Sequence, residues 1–235
     1  MSANDSWITA GLWLGATVAL YALAKRVHRR FKGWWTSPMV LAPAILLALA
    51  AGLNVGYGDY IRGPRWLVEL LAPATVAFAV PIYRRRALVI RHWLLLAVGI
   101  TVGSLTSILS SWFLSGWLGL DRALRLSLVP HSISTPFAMI LSGDIGGVPA
   151  LTAVFVIVTG VLGASVGEVL LNVVPLRSKV ARGALFGMGA HGVGTAKALQ
   201  IDSEIGSVAG LVMVFVGLAN VLAAPLIAPL LAHLR

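Results

Sequence analysis

The stretch HSISTPFAMILSGDIGG, residues 131–147, returns in altered form as HGVGTAKALQIDSEIGS, residues 191–207. Aligned at an offset of 60 residues without a gap, the copies share ten of the 26 positions that begin at His131. Chance matches among Val, Leu and Ala are the alternative, but the shared polar positions and the acidic pair of Asp144 and Glu204 favour a true repeat. The identical residues of the first copy are His131, Thr135, Ala138, Ile145, Gly146, Val148, Leu151, Val154, Phe155 and Val156.

The sequence around the repeat is strongly apolar. Of the 235 residues, 58% are hydrophobic and 11% are charged, whereas about 25% are charged in a soluble domain. The chain is therefore expected to be an integral membrane protein, and its polarity does not alternate as in barrel strands. Apolar runs approaching or exceeding the roughly 20 residues that a bilayer core requires lie at 7–24, 38–54, 66–83, 92–114, 148–173 and 205–232.

Lysine and arginine residues concentrate in short segments between these runs, and the formal net charge is +10. Cytoplasmic loops of membrane proteins carry such an excess, so topology accounts for the charge and nucleic-acid binding is not expected. The first run has its basic residues after it, the reverse of a signal peptide, and is predicted to be a retained helix with its N-terminus outside. The segments YRRRALVIR (83–91) and PLRSKVAR (175–182) are assigned to the cytoplasm. The absence of cysteine excludes disulfides and thiolate metal sites.

Both copies of the repeat are predicted to enter and leave the membrane on one side. If residues 124–144 crossed completely, PLRSKVAR would lie outside, against the positive-inside rule. Pro130 and Pro136 also interrupt a continuous helix, and irregular backbone at membrane depth survives only where protein or water satisfies it. The sequence therefore predicts re-entrant hairpins at 124–144 and 183–202, the second entering from the cytoplasm.

Each hairpin follows a full helix, because Gly103 matches Gly163 upstream of the two copies. One full crossing plus one hairpin is an odd number of crossings, so the next copy has the opposite orientation in the membrane. This predicts an all-α polytopic membrane protein with about six full transmembrane helices and two oppositely oriented re-entrant hairpins in an inverted repeat. Secondary transporters hold substrate near the midplane between such elements. The predicted parts are an N-terminal helix with a basic loop (1–37), two helices, one broken by Pro (38–98), repeat unit 1 (99–158), and repeat unit 2 with the final helix (159–235).

The polar residues of the second hairpin are candidates for a substrate site. Gly192 and Gly194 permit close backbone approach, and a helix that begins there directs free N–H groups towards an anion. His191 and Thr195 share one helical face. This pattern predicts an anion-binding site.

Lys197 is a cation within apolar sequence, which is costly unless it has a partner or a task. We expect Lys197 or His191 to neutralise a substrate carboxylate. The alternative is that Lys197 pairs with Asp202 or Glu204, or extends to the membrane interface. For Glu204 and Asp144, which precede the next predicted helices, N-capping is favoured over a role in a site.

In the first hairpin, His131 and Thr135 again share a face, and Ser132 and Ser134 supply hydroxyls. Pro136 leaves a backbone carbonyl free for water, an ion or substrate. A buried structural histidine and a titrating one are equally consistent with His131.

Three features outside the hairpins are also candidates. Thr75 lies between Pro73 and Pro81, and this doubly interrupted helix is a candidate for lining a pathway. Glu168 is expected near the cytoplasmic end of its helix, paired with a loop arginine. Asn220 is expected to form either a hydrogen bond between helices or part of a pathway.

Four segments, taken in order, resemble the LrgB-like family from about residue 38 to the end. They are LAPATVAFAVPIY (71–83), PHSISTPFAM (130–139), IGGVPALTAVFVIVTGVLGA (145–164) and ARGALFGMGAHGVGTAKAL (181–199). The resemblance implies a polytopic protein of the bacterial inner membrane, often encoded beside a small holin-like partner. It also carries over motif positions at His131, where the family usually has Lys, and at Ser132, Thr135, Pro136, His191, Gly194, Thr195 and Lys197.

Members of this family are described as modulators of autolysis or as carriers of small organic acids, and they include the plastidal glycolate/glycerate translocator. Two functions are therefore consistent with the resemblance. The first function is secondary transport of a monocarboxylate such as glycolate, glycerate, pyruvate or acetate, with H⁺ or Na⁺ as the candidate coupling ion and no cofactor. The second is antiholin-like regulation of murein hydrolase export, through a holin-like partner of the LrgA/CidA type. A homodimer is expected. An enzyme is not, because the sequence has no catalytic or metal-site spacing.

Overall fold

The computed structural model describes residues 3–31, 36–70, 73, 83 and 86–233, and within them it contains helices and no strands. This agrees with the all-α prediction. In chain order the helices are α1 (Ala3–Arg30), α2 (Pro38–Gly52), α3 (Tyr57–Ile61), α4 (Arg65–Glu69), α5 (Arg86–Arg91), α6 (Trp93–Trp117), α7 (Arg122–Leu128), α8 (Thr135–Ile145), α9 (Pro149–Val173), α10 (Lys179–Ile201), α11 (Ser203–Leu222) and α12 (Ala224–His233).

Four of the described helices are long and apolar enough to cross a membrane. They are Ile8–Arg30, Trp93–Trp117, Pro149–Val173 and Ser203–Leu222. The run at 38–54 forms a helix of 15 residues, and most of the run at 66–83 lies outside the described residues. The structure therefore supports a polytopic helical membrane protein with four candidate spans in its described part.

Residues Met1–Ala74 form one compact unit. Trp13 of α1 is buried and meets the Tyr60 ring edge-on, with centroids 5.4 Å apart. The Thr17 hydroxyl donates to the Trp13 carbonyl at 2.7 Å and lies 3.2 Å from the Tyr60 hydroxyl. At Gly63 a Cβ atom would collide with the Ala10 carbonyl oxygen. These contacts hold α1 against the segment that contains α3.

Residues Thr75–Arg235 form the second unit, and α11 is its central helix. In the most apolar window of α11, 61% of the residues are buried, against 11–22% in the other three candidate spans. Phe137 and Leu141 of α8 pack with Val212 and Val216 of α11 in the main core cluster. A Cβ atom at Gly217 would collide with the Phe137 ring, so this glycine lets α8 approach α11 closely.

The helix α10 folds back on itself at His191. A straight helix of its 23 residues would be about 35 Å long, yet the Lys179 ammonium at its start lies 3.1 Å from the carboxylate of Asp202, just after its end. His191 has φ 38° and ψ −121°, and a Cβ atom at Gly194 would collide with the Phe186 carbonyl. Residues 179–190 and 192–201 are therefore two arms that lie side by side.

The expected capping roles of Asp144 and Glu204 are wrong. Asp144 lies in the last turn of α8, which ends at Gly146 with φ 86°, and the residue before α9 is Val148. The N-cap of α11 is Asp202, whose carboxylate accepts from the backbone N–H groups of Glu204 at 2.8 Å and Ile205 at 3.1 Å. The helix α9 begins four residues later than expected and α11 begins two residues earlier, because a left-handed glycine and an aspartate cap set the boundaries.

Candidate functional site

The two polar segments contain backbone breaks at equivalent positions of the repeat. In the first segment, residues 129–134 separate α7 from α8 and include His131. In the second, His191 interrupts α10 with a positive φ. Such a backbone conformation costs on the order of 1–3 kcal/mol in a residue other than glycine and clusters at functional sites.

The first segment lies along the C-terminal half of α6. The Arg125 guanidinium stacks on the Trp112 ring, 4.0 Å from its centroid, and the Ser107 hydroxyl donates to the Ser132 hydroxyl at 2.7 Å. Because Ser132 belongs to the break, the break lies beside Ser107, close to the midpoint of α6.

The second segment lies along the N-terminal half of the same helix. Val180 and Ala184 share an apolar cavity of about 300 Å³ with Leu96, and Met188 packs so closely on Gly103 that a Cβ atom there would lie 2.5 Å from its methyl carbon. The second break therefore approaches the midpoint of α6 from the opposite end of that helix.

His191 is buried at the second break, with 3% of its surface exposed. Its ring occupies space that Gly160 of α9 leaves open, since a Cβ atom there would lie 2.7 Å from its Cε1. Its Nε2 is buried and has no hydrogen-bond partner among the described residues. The Thr195 hydroxyl donates to the His191 carbonyl at 2.9 Å. The His191 ring also lies within hydrogen-bonding reach of the Val156 backbone and close enough to His131 for electrostatic interaction.

The first break contributes an imidazole and a hydroxyl. His131 Nδ1 lies 2.8 Å from the Leu128 carbonyl; since a carbonyl only accepts, Nδ1 carries the hydrogen and Nε2 of the neutral ring is an acceptor. Ser134 precedes α8 but makes no capping bond with its side chain. Its hydroxyl is buried and has no partner in the described part of the chain. Polar atoms buried in this way are rare and call for an explanation.

A group of hydroxyls anchors the first segment to α9. The Thr152 hydroxyl lies 2.7 Å from the Ser142 hydroxyl and 2.9 Å from the Ser127 carbonyl. The Ser127 hydroxyl accepts from the Val148 N–H at 2.8 Å and donates to the Ala123 carbonyl at 2.6 Å. We name Ser127, Ser142 and Thr152 the hydroxyl cluster; it joins α7, α8 and α9.

A smaller polar contact joins α11 to α6. The Asn220 amide donates to the Ser104 hydroxyl at 2.8 Å and to the Val216 carbonyl at 2.8 Å. This is the hydrogen bond between helices that was one of the two expectations for Asn220. Ser104 lies one turn from Ser107, so two polar bonds meet near the midpoint of α6.

Lys197 pairs with Glu168 of α9 at 2.8 Å. The expectations that Lys197 pairs with Asp202 or Glu204, and that Glu168 pairs with a loop arginine, are therefore wrong. Asp202 and Glu204 instead bind Lys179, at 3.1 Å and 2.8 Å respectively. The fold-back of α10 explains this, because it brings Lys179 to the end of the same helix.

The Lys179 contacts lie at the exposed end of α10 and shift two ionisation equilibria. Hydrogen bonds to Glu204 and then Asp202 raise the pKa of Lys179. The Ile205 backbone N–H, followed by the Lys179 ammonium, lowers the pKa of Asp202. We name Lys179, Asp202 and Glu204 the base clamp, because they tie the two arms together where they begin and end.

Arg125 and the hydroxyl cluster were not predicted from the sequence. Arg125 Nε is buried without a partner among the described residues, and its charge lies on the Trp112 ring. An arginine inside the predicted hairpin was a visible signal. By contrast, the serines and threonine of the cluster are indistinguishable in sequence from hydroxyls that bond to their own helix.

The structure brings the two breaks together, but not every candidate residue lies at the breaks. Lys197 lies further along its arm, at Glu168, and Thr75 lies outside the described residues. Gly192 is exposed, whereas Gly194 is buried. Within 3–31, 36–70 and 86–233 no group of three or more His, Asp or Glu residues is arranged to hold a metal ion.

Comparison with known proteins identifies the family. The model of the LrgB-like family matches residues 17–230. The chain belongs to the LrgB-like family. The match begins within α1, so the resemblance extends further towards the N-terminus than the expected start near residue 38. No solved structure matches the chain.

The chain is similar to two kinds of bacterial relatives. It is 40% identical to the uncharacterized protein YwbG of Bacillus subtilis over 209 residues, which are 89% of this chain and 93% of YwbG. It is 25% identical to the holin-like protein CidB of Staphylococcus aureus over 224 residues, covering 95% and 97% of the two chains. Together with the apolar helices, these relatives indicate a bacterial membrane protein of the LrgB/CidB type.

Proposed function

We propose that this protein is a secondary transporter of small monocarboxylates or 2-hydroxy acids, the class of glycolate, glycerate, pyruvate and acetate. The observation that carries the proposal is the approach of two backbone breaks, from opposite ends of α6, to one level near its midpoint. A transporter needs a binding site that substrate can reach from either side of the membrane. Two breaks that meet at the midpoint of α6 would provide such a site.

The unpartnered polar atoms support a small polar ligand. Leaving a buried polar atom without a bond costs about 1–3 kcal/mol, and a polar group of a bound substrate, or a water beside it, would satisfy His191 Nε2 and the Ser134 hydroxyl. The hydroxyls of Ser132, Thr135 and Thr195 are suited to a 2-hydroxyl group. Pro136, Gly192 and Gly194 shape the backbone around this site, His131 accepts a proton, and Lys197 adds positive potential.

In this proposal the two segments are re-entrant hairpins of an inverted repeat, and the chain has about six full transmembrane helices. Alternating access follows from exchange between two similar arrangements, each open to one side. The protein lies in the bacterial inner membrane with its N-terminus outside and forms a homodimer. The coupling ion is H⁺ or Na⁺, and Thr75 is a further residue of the pathway.

A second candidate function is antiholin-like regulation of murein hydrolase export and autolysis. It is favoured by the relatives described as holin-like protein CidB. In that case the two segments brace or gate an oligomer with a small holin-like membrane protein of the LrgA/CidA type, and no substrate occupies them.

Flux into proteoliposomes distinguishes the two functions. We expect saturable uptake of labelled glycolate, pyruvate or acetate, and a loss of about tenfold or more in uptake for Lys197→Ala or Thr195→Val, the equivalent of at least about 1.4 kcal/mol. Thr106→Val, a matched change at an exposed position of α6, should retain wild-type uptake. Non-selective dye leakage, or no flux in wild type and variants alike, contradicts the transporter and favours the regulator.

A further inference from the structure

Glu168, which lies in the candidate span Pro149–Val173, forms an ion pair with Lys197. Lys197 lies six residues from the turn at His191, about 9 Å along its arm at 1.5 Å per residue. Glu168 lies eight residues beyond Gly160, which contacts His191, about 12 Å along α9. In the proposed arrangement the turn lies at the membrane midplane, and half the hydrocarbon core is about 15 Å thick, so both charges lie within it. Charges at such depth are rare and functional by default.

Glu168 is the acidic partner of Lys197, and the other acidic residues whose side chains are described have other surroundings. Asp202 and Glu204 belong to the base clamp, and Asp121 caps α7 by accepting from the Leu124 N–H at 2.9 Å. In the first unit, Asp59 and Glu69 pair with neighbouring arginines. Asp144 is exposed at the end of α8.

A substrate carboxylate that reaches Lys197 therefore meets an ammonium whose charge is already neutralised. If Glu168 stays ionised, the anion leaves one net negative charge in the hydrocarbon region, which is costly. A proton on the Glu168 carboxylate removes that charge and breaks the ion pair, so that the substrate carboxylate takes its place beside Lys197.

We propose that Glu168 is the proton-binding residue that couples transport to H⁺, by competing with the substrate carboxylate for Lys197. This rests on the proposed transport function. One proton moves from water on the open side to Glu168 as one carboxylate binds Lys197, and both leave on the other side, so each cycle carries one H⁺ and one monoanion without net charge.

The surroundings are consistent with Glu168 as the titrating group. Its side chain is 54% exposed and that of Lys197 is 31% exposed, so the described protein does not enclose the pair. On α10, Lys179 is engaged in the base clamp, and the His191 ring lies against Gly160, two turns away along α9. The remaining ionisable groups on elements that pack against α9 are Arg182, His131, Arg122, Arg125 and Asp144.

The test is uptake by proteoliposomes with equal pH on both sides, so that the pH acts on the protein and not on a gradient. A single carboxylate that must be protonated changes the competent fraction by up to about tenfold per pH unit. Wild-type uptake should therefore rise as the pH falls from 7.5 to 5.5, by up to about a hundredfold. Glu168→Gln, which mimics the protonated acid, should vary by less than about twofold over this range and exceed wild type at pH 7.5.

Asp144→Asn is the matched control, an acid-to-amide change at an exposed residue outside the ion pair, and it should keep the wild-type profile. If Glu168→Gln does not fold, Glu168→Asp still carries a charge but reaches Lys197 less well, and should exceed wild type at pH 7.5. Saturable uptake with the wild-type pH profile in Glu168→Gln, or uptake by Glu168→Asp that does not exceed wild type at pH 7.5, overturns the role of Glu168 and leaves transport standing. Absence of saturable uptake in wild type overturns both proposals.

Discussion

The two polar segments occupy equivalent positions of the repeat, yet they are built differently. Where the first copy has Ser132 and Ser134, the second has Gly192 and Gly194. The first segment breaks its helix over six residues and secures both parts through the hydroxyl cluster. The second reverses within one residue and packs backbone against backbone. One segment thus depends on hydrogen bonds and the other on the absence of side chains.

The largest effect should come from adding one carbon to the second segment. In Gly194→Ala the new Cβ atom would collide with the Phe186 carbonyl, and we expect a loss of about 3 kcal/mol in folding free energy, the upper range of overpacking. Gly192→Ala is the matched control, because the nearest atom to its Cβ would be the Met213 sulfur at 4.0 Å. Thermal unfolding in detergent measures both, and equal stability of the two variants would contradict the tight fold-back.

A smaller effect separates two hydroxyls of the first segment. Thr152→Val removes the bonds to Ser142 and Ser127 and should lower stability by about 1–3 kcal/mol. Ser134→Ala removes a hydroxyl without a partner in the described structure, so stability should change by less than about 0.5 kcal/mol while the KM for the transported acid rises. A Ser134→Ala protein as destabilised as Thr152→Val would show that Ser134 is structural.

The smallest effect concerns the base clamp of the second segment and depends on pH. Because the pKa of folded Asp202 is lowered, its stabilisation is present at neutral pH and is lost as pH falls through and below the ordinary aspartate range. The raised pKa of Lys179 means that its share is present up to the ordinary lysine range and is lost above it. The difference in melting temperature between wild type and Asp202→Ala should therefore be largest near neutrality and shrink in acid. A constant difference would contradict an ionised clamp.

The same contrast explains how far the sequence could predict the structure. Apolar runs and prolines act locally, so the candidate spans and the break near His131 are visible in sequence. The break at His191 was visible through its glycines and through its copy. The partner of Lys197 was not, because Glu168 lies 29 residues earlier and Asp202 and Glu204 are nearer in sequence. Which acid is chosen depends on the direction of the fold-back, and that depends on contacts between helices.

Gly160, Gly163 and Gly167 line the side of α9 that meets the second segment, where Cβ atoms would collide with His191, the Gly189 carbonyl and Phe186. The second segment fits into the space that these three glycines leave on α9, and any larger residue there would push it away. The first segment is held to α9 by the hydrogen bonds of the hydroxyl cluster instead. Shape complementarity therefore secures one half of the repeat to α9, and directional bonds secure the other.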